Sequence, residues 1–260
     1  MGWVVPLLLF VLVGVYGEPQ VPCVFIFSDS LSENGNNNNL PTLAKFNYKP
    51  YGIDFINGPT GRPTNSRNAV DILTQLLGFE NFIPPFANTS GSDILKGVNY
   101  ASAAAGIRPE SGSNYVLREF GLRECLLVGL GLIGCTPHAK STNGLNVSSP
   151  SCVEDVNAAV SMFNDKLKSL ADQLNQRFSA DSKYIFINST EGARDLASGF
   201  AVPYDPCCLI QNNGLCVPDQ MPCQNRSEYL FWDGFHTTDV VNKIIATATY
   251  NVLLSSMFNA

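Results

Sequence analysis

Short apolar segments with little polar alternation recur along this chain, and they constrain its fold more than any other feature. Residues 21–27 and 125–130 are such runs, and residues 184–187 form another. Runs of this kind predict strands that are covered on both faces, as in a parallel sheet. Residues 98–101 are a fourth candidate strand, leading into a loop of small residues.

Between these strands, apolar residues recur with the spacing of helices. The pattern predicts helices over residues 67–77, 153–178 and from about Thr238 onward. Ser151 and Glu154 match the capping-box pattern at the start of the second helix. Strands that alternate with helices indicate an α/β fold with a parallel sheet covered on both faces. The last helix is expected to bury Val240, Val241, Ile244, Ile245 and Ala248.

Composition narrows the possible functions. The 260 residues include 16 Lys and Arg against 22 Asp and Glu, which gives a net charge of −6, and no basic run occurs. Phosphate contacts need clustered basic side chains, so a nucleic-acid partner is not expected. The apolar fraction of 45% is too high for a disordered protein. No linker or repeat divides the chain, so a single domain is expected.

The amino terminus is apolar and lacks charged side chains. Residues 3–15 are almost all apolar, too short a run for a bilayer span of about 20 residues. Small residues near Gly17 favour a secretory signal over residues 1–17, followed by a domain over residues 18–260 with no membrane anchor. A buried helix or a short anchor is the alternative interpretation.

Cysteines and sequons agree with secretion. All eight cysteines follow residue 17, and an even number in a secreted chain suggests disulfides. The densest cluster is Cys207, Cys208, Cys216 and Cys223. Zinc is a weaker interpretation of it, because no C-x-x-C pair exists and neither histidine lies beside these cysteines. Cys125 could instead be a buried free thiol. Four Asn-x-Ser/Thr sequons predict surface positions open to glycosylation, at Asn88, Asn146, Asn188 and Asn225.

Few residues could support nucleophilic catalysis. The chain has two histidines, and His236 follows Asp233 by three positions, which allows a carboxylate to hold the imidazole in a turn. His138 has no acid nearby. Ser30 directly follows the first predicted strand, at the sheet edge where parallel strands place chemistry. A turn aspartate, a histidine that enters a helix and a plain turn serine are the structural alternatives.

Several segments form an ordered series of motifs along the chain. Residues 25–38, FIFSDSLSENGNNN, begin the series, and residues 231–238, FWDGFHTT, end it. Between them lie GRPTN at 61–65, VNYASAAAGI at 98–107, VGLGLIGCTP at 128–137, PCC at 206–208 and PCQNR at 222–226. Together these segments resemble the plant GDSL esterase/lipases of the SGNH hydrolase superfamily, with residues 25–38 similar to the first block of that family and residues 231–238 similar to its last.

The resemblance implies a three-layer α/β/α fold with a flavodoxin-like parallel sheet. It also implies a secreted serine hydrolase that acts on a small-molecule ester or lipid without a cofactor or metal. Ser30 would be the nucleophile, His236 the general base and Asp233 the residue that orients it. The backbone N–H groups of Ser30 and Gly106 would form the oxyanion hole.

The chain departs from the family pattern at two places. Ser28 stands where the first block has glycine, which would be strained if that position needs a positive φ and mild if it needs only a small side chain. The third block, Gly-x-Asn-Asp, is absent, and the shortfall falls between Gly106 and Gly121. We therefore expect an internal deletion that removes one interior strand and an oxyanion donor.

Three hypotheses follow from this pattern. The first is a secreted ester hydrolase with a Ser-His-Asp triad. The second is a catalytically impaired member of the family that acts as a non-catalytic secreted binding protein, which the missing block motivates. The third is a chain that does not fold stably, because removal of an interior strand leaves two edges to be paired again.

Overall fold

The apolar segments form strands in a computed structural model, which describes residues 18–106 and 123–258. In this part of the chain, six strands form three two-stranded parallel sheets, β1–β2, β3–β4 and β5–β6. Their bounds are β1 Phe25–Ile26, β2 Val98–Asn99, β3 Glu124–Val128, β4 Lys183–Ile187, β5 Val202–Pro206 and β6 Tyr229–Phe231. The predicted signal lies outside the described residues, as does most of the predicted deletion site.

Five α-helices accompany the strands in the described ranges. They are α1 Ala69–Leu76, α2 Pro137–Thr142, α3 Glu154–Arg177, α4 Ala193–Ser198 and α5 Asp239–Phe258. Among the residues described, no helix has the length and apolarity that a membrane crossing requires. Small parallel sheets with intervening helices agree with the predicted α/β class.

The first strand pair is shorter than the sequence predicts. Gln20 donates its backbone N–H to the carbonyl of Leu77 at 2.9 Å, so the chain before Val24 runs beside the end of α1 instead of along β2. Ile26 is buried together with Ile83 and Ala101. This packing fixes the end of β1, where Ser30 follows.

The β3–β4 pair and α3 lie close to their predicted bounds, and α3 packs against β4. The expected capping box at the start of α3 is wrong. The helix begins after Val153, and no side chain caps it. The backbone N–H of Val153 instead donates to the carbonyl of Gly134 at 2.9 Å, and the Cys135–Cys152 disulfide holds the same approach. A tertiary contact therefore replaces the local serine cap.

The carboxy-terminal sheet orders the cysteine-rich segment. Beyond β5 and β6, Cys207 and Cys208 donate their backbone N–H groups to the carbonyls of Phe231 and Trp232, both at 3.0 Å. Disulfides join Cys207 to Cys223 and Cys208 to Cys216, which confirms the disulfide prediction for this cluster. Free thiols are recorded at Cys23 and Cys125, each partly buried.

The buried face of α5 differs from the expected one. Val241, Asn242, Ala246 and Thr249 are buried, whereas the side chains of Ile244 and Ile245 are 44% and 39% exposed. Asn242 donates its side-chain amide to the carbonyl of Arg67 at 2.8 Å, and α5 packs against α1. This contact turns the Asn242 face inward and the isoleucines toward solvent. The predicted burial is confirmed for Val241 and is wrong for Ile244, Ile245 and Ala248, which are exposed.

Candidate active site

Ser30 begins a single turn of 3-10 helix directly after β1. The turn spans Ser30–Ser32, and Asp29 caps it by accepting a hydrogen bond from the Leu31 N–H at 3.0 Å. Positive φ outside glycine is recorded at Ala104 and Asp219 but not at Ser28. Serine in place of the usual glycine is therefore the mild alternative, a change in side-chain size without backbone strain.

The structure brings the three predicted triad residues together. The Ser30 Oγ lies 2.8 Å from Nε2 of His236. The Nδ1 of His236 lies 2.9 Å and 2.8 Å from the two carboxylate oxygens of Asp233. His236 is buried, and Asp233 is completely buried. This is the relative geometry of a nucleophile, a base and an orienting acid.

The turn after β6 holds Asp233 and His236 in place. Trp232 donates its backbone N–H to the carbonyl of His236 at 2.7 Å, which closes the turn. Within it, Oδ1 of Asp233 accepts the backbone N–H groups of Phe235 and His236, both at 2.8 Å. A buried carboxylate requires such donors, because water no longer stabilises its charge.

A tyrosine that the sequence analysis did not identify completes the surroundings of Asp233. The Tyr51 hydroxyl donates to Oδ2 of Asp233 at 2.7 Å and accepts the backbone N–H of Cys216 at 3.0 Å. Burial and the negative charge of Asp233 hold the pKa of Tyr51 well above its usual value. The hydroxyl therefore remains a donor at neutral pH. Phe46 packs edge-on against the His236 ring, 5.2 Å between centroids.

Glu33 is a second residue that sequence reasoning missed. Its side chain is only 1% exposed, and it accepts backbone N–H groups from Gly35 at 2.8 Å and from Ala103 at 2.9 Å. Burial raises the pKa of Glu33, against the lowering effect of these hydrogen bonds. The carboxylate links the Ser30 turn to the loop that follows β2.

The asparagine-rich loop after Ser30 also joins the Ser30 turn to the segment that contains the end of β2 and the following loop. The amide of Asn36 donates to the carbonyls of Asn99 and Ala101, at 2.8 Å and 2.7 Å. The amide of Asn37 donates to the carbonyl of Ala103 at 3.1 Å. These side chains satisfy backbone carbonyls at the end of β2 and in the loop that follows it. The only available signal was the run of asparagines itself, which does not identify partners.

The two predicted oxyanion donors lie on neighbouring segments. Within the described residues, no acceptor pairs with the backbone N–H of Ser30. The carbonyl of Ser28 accepts the N–H of Ser102 at 3.1 Å, which holds the loop of residues 102–106 beside the nucleophile turn. Gly106 is exposed and is the last described residue of that loop. Its role as a donor remains a prediction.

A cavity of about 10 Å³ lies beside His236, between Leu31, Thr64 and Asn68. A larger cavity, of about 670 Å³, is lined by other segments that include Phe82 and Lys96.

All four sequon asparagines are exposed.

Comparison with known proteins identifies the family. The profile described as GDSL-like Lipase/Acylhydrolase matches residues 112–249. "GDSL esterase/lipase At1g29660" of Arabidopsis thaliana is 37% identical over an alignment of 332 positions, which covers 93% of this chain and 90% of the relative. This chain belongs to the GDSL lipase/acylhydrolase family.

Two further Arabidopsis thaliana members of the GDSL family show the same similarity. "GDSL esterase/lipase At1g29670" is 35% identical over 348 positions, covering 98% of this chain and 94% of the relative. "GDSL esterase/lipase At1g33811" is 35% identical over 325 positions, covering 90% of this chain and 88% of the relative. The resemblance to plant GDSL proteins is thus confirmed. The profile match contains Asp233 and His236, whereas Ser30 precedes it.

Proposed function

We propose that this protein is a secreted carboxylic ester hydrolase with Ser30 as nucleophile, His236 as general base and Asp233 as orienting acid. The observation that carries the proposal is the 2.8 Å contact between Ser30 Oγ and His236 Nε2, backed by the Asp233 carboxylate. The names of its relatives, esterase/lipases of the same family, support the reaction class.

In this mechanism, Nε2 of His236 takes the proton of Ser30 as Oγ attacks the ester carbonyl. The tetrahedral intermediate collapses, and the imidazolium gives that proton to the leaving alcohol, which leaves an acyl-Ser30 ester. Water, activated by the same imidazole, then releases the carboxylic acid and restores Ser30. Buried Asp233 keeps the proton on Nδ1 and stabilises the imidazolium.

The Ser30 and Gly106 backbone N–H groups stabilise the oxyanion in this proposal. The missing third block would supply one more donor. Loss of one such donor typically costs about 2.7–4 kcal/mol of barrier, or roughly 100- to 1,000-fold in rate. We therefore expect turnover to be slow.

We also propose an internal deletion between Gly106 and Gly121. The alignment with the first relative has 332 positions, but 93% of 260 residues is about 242, so about 90 positions have no residue here. Within the described residues, β1 pairs only with β2 and β3 only with β4. Val128 in β3 is 51% exposed, although its strand has the composition of a buried one. A strand between β1 and β3 would join the two pairs into the single parallel sheet of the proposed three-layer α/β/α fold.

Secretion is part of the proposal. Residues 1–17 would be removed as a signal, leaving a single domain over residues 18–260. Three disulfides support an oxidising compartment, and the exposed sequon asparagines can accept glycans.

Labelling with a fluorophosphonate probe tests the triad. The probe should attach to Ser30 in the folded chain, and both Ser30→Ala and His236→Ala should abolish labelling. Ser32→Ala, in the same turn, and His138→Ala, the other histidine, are matched controls that should still be labelled. Absence of labelling in wild-type protein with a cooperative melt would contradict the proposal.

A non-catalytic binding protein is the second candidate function. The missing third block favours it, because the oxyanion would then have one donor fewer. Hydrolysis of a short acyl ester by the wild-type chain, lost in Ser30→Ala, would exclude this alternative. Binding of the same ester without turnover would support it.

A further inference from the structure

One tyrosine hydroxyl connects the buried acid of the site to the disulfide loop. Tyr51 is fully buried and lies 182 positions before Asp233, which accepts its hydroxyl at 2.7 Å. The backbone N–H of Cys216 donates to the same hydroxyl oxygen at 3.0 Å. The Cys208–Cys216 disulfide ties Cys216 to the segment beside β6.

These contacts leave the hydroxyl with one orientation. The N–H of Cys216 can only donate, so it occupies a lone pair of the tyrosine oxygen. The ionised carboxylate of Asp233 can only accept, so the hydroxyl proton must point to Oδ2. Hydrogen bonds to a charged group are the strong ones, particularly in a buried setting.

The carboxylate is thereby held from both sides. Oδ1 accepts two backbone N–H groups from its own turn, and Oδ2 accepts the Tyr51 hydroxyl. Both oxygens face Nδ1 of His236 at nearly equal distances. Without Tyr51, the turn could still hold Oδ1, but no described side chain other than His236 would hold Oδ2.

We propose that Tyr51 is a positioning residue for the triad, which aims the Asp233 carboxylate at Nδ1 of His236. This inference rests on the proposed function for its effect on rate, but its effect on His236 is independent of turnover. The Tyr51 bond draws charge from the carboxylate, so its removal leaves a carboxylate that stabilises the imidazolium more strongly.

Tyr48 provides a matched control on the same loop. Its hydroxyl donates to the carbonyl of Cys216 at 3.1 Å, and its ring packs edge-on against Tyr51. Each tyrosine therefore makes one hydroxyl contact with Cys216, but only Tyr51 reaches Asp233. In the described residues, Asp233, Tyr51 and, beyond it, Tyr48 are the titratable groups recorded around the His236 ring.

The test compares Tyr51→Phe with Tyr48→Phe by NMR of the imidazole rings. The chain has two histidines, so His236 can be assigned by comparison with His138→Ala. We expect Tyr51→Phe to shift the Nδ1–H proton resonance of His236, because the carboxylate that accepts this proton loses the hydroxyl that holds Oδ2, and Tyr48→Phe to leave that resonance at its wild-type position. A His236 resonance that is the same in both variants and in the wild type would overturn the proposal.

Two further readouts separate positioning from structural damage. The rate of fluorophosphonate labelling at Ser30 should fall roughly tenfold in Tyr51→Phe and less than twofold in Tyr48→Phe. The pKa of Tyr51 is held well above its usual value in the wild type. In Asp233→Asn this pKa should fall toward the usual value, which tests the contact without altering Tyr51. An unchanged tyrosine titration would count against the contact. Absence of labelling in wild type, with the His236 difference intact, would refute the proposed function and not the role of Tyr51.

Discussion

Asp233 is the residue on which most contacts of the candidate site converge. It accepts hydrogen bonds from two backbone N–H groups and the Tyr51 hydroxyl, and it faces Nδ1 of His236, with no exposure to solvent. A carboxyl group buried away from water needs such hydrogen-bond donors. The same donors fix its orientation.

Replacement of Asp233 by asparagine tests its role in the triad. The amide can present an N–H to Nδ1, which favours the wrong tautomer of His236. We expect Asp233→Asn to lower the rate of probe labelling at Ser30 by roughly 10³- to 10⁴-fold. Asp54→Asn, on a loop that contacts Arg226, is the control and should label at the wild-type rate. Labelling of Asp233→Asn at the control rate would exclude Asp233 as the orienting acid.

Replacement of Glu33 by glutamine tests the link between the two loops. The amide would turn a donor toward backbone N–H groups that need an acceptor, so we expect a loss of about 1–3 kcal/mol in the free energy of unfolding. Glu80→Gln, at an exposed position, should change it by less than about 0.5 kcal/mol. Urea unfolding measures both.

The loss in Glu33→Gln should depend on pH. Burial raises the pKa of Glu33 above its usual value of 4.5. The native state therefore binds the Glu33 proton more tightly than the unfolded state does. The resulting stabilisation is fully present below pH 4.5 and is lost as the pH rises through the folded pKa. The advantage of wild type over Glu33→Gln should shrink over this interval, and a constant difference from about pH 4 to pH 7 would contradict the assignment.

At the residue scale, the sequence predicts contacts between residues that are close together along the chain. Asp233 and His236 are three positions apart and share one turn, so their pairing was visible. Ser30 was identified by its position after a strand and by the resemblance to a family block. Glu33 and Tyr51 were missed because their partners lie 70 and 182 positions away. No periodicity reports such contacts.

Helix α1 illustrates how an element supports the site. Asn68 caps it in a capping box with Asp71, and the Asn68 amide also donates to the carbonyl of Glu33 at 3.1 Å. Asp71 forms a buried ion pair with Arg62, with its closest contact at 2.6 Å. The start of the helix is thereby joined to Glu33, directly after the Ser30–Ser32 turn.

Removal of the side chain that caps α1 should destabilise the protein. Asn68→Ala loses the cap and leaves a buried carbonyl without its donor, so we expect a loss of about 2 kcal/mol in the free energy of unfolding. Ser151→Ala should cost less than about 0.5 kcal/mol, because Ser151 does not cap α3. Chemical denaturation of both variants provides the comparison. An equal loss in the two would indicate that the sequence-predicted capping box forms after all.

Sequence patterns identified α3 and the β3–β4 pair because their apolar periodicity is long or uniform. The predicted buried face of α5 was wrong because apolar residues nearly encircle the helix. Tertiary contacts, such as that of Asn242 with Arg67, therefore determine which face of α5 is buried. β5 was not predicted, since its proline-containing sequence lacks a strand pattern. Pairing with β6 decides its conformation.

At the scale of the whole molecule, we expect the proposed deletion to lower both the stability and the rate of ester hydrolysis. Insertion of the corresponding segment of "GDSL esterase/lipase At1g29660" between Gly106 and Gly121 should raise the melting temperature and increase ester hydrolysis by roughly 100- to 1,000-fold. A Gly/Ser insert of equal length, about 90 residues, is the control and should do neither.

If the native insert changes neither property, a missing strand does not limit this chain. A chain without any cooperative melt, which the insert restores, would support the third hypothesis, that the shortened form does not fold stably. A cooperative melt of the chain as it stands would dismiss that hypothesis.

The contact between Ser30 and His236 spans 206 positions of the chain. A fragment that ends before β6 lacks His236, so the contact forms only when both ends of the chain are present and folded against each other. Probe labelling during refolding would then time the meeting of the two chain ends. It would do so separately from helix formation, which circular dichroism follows.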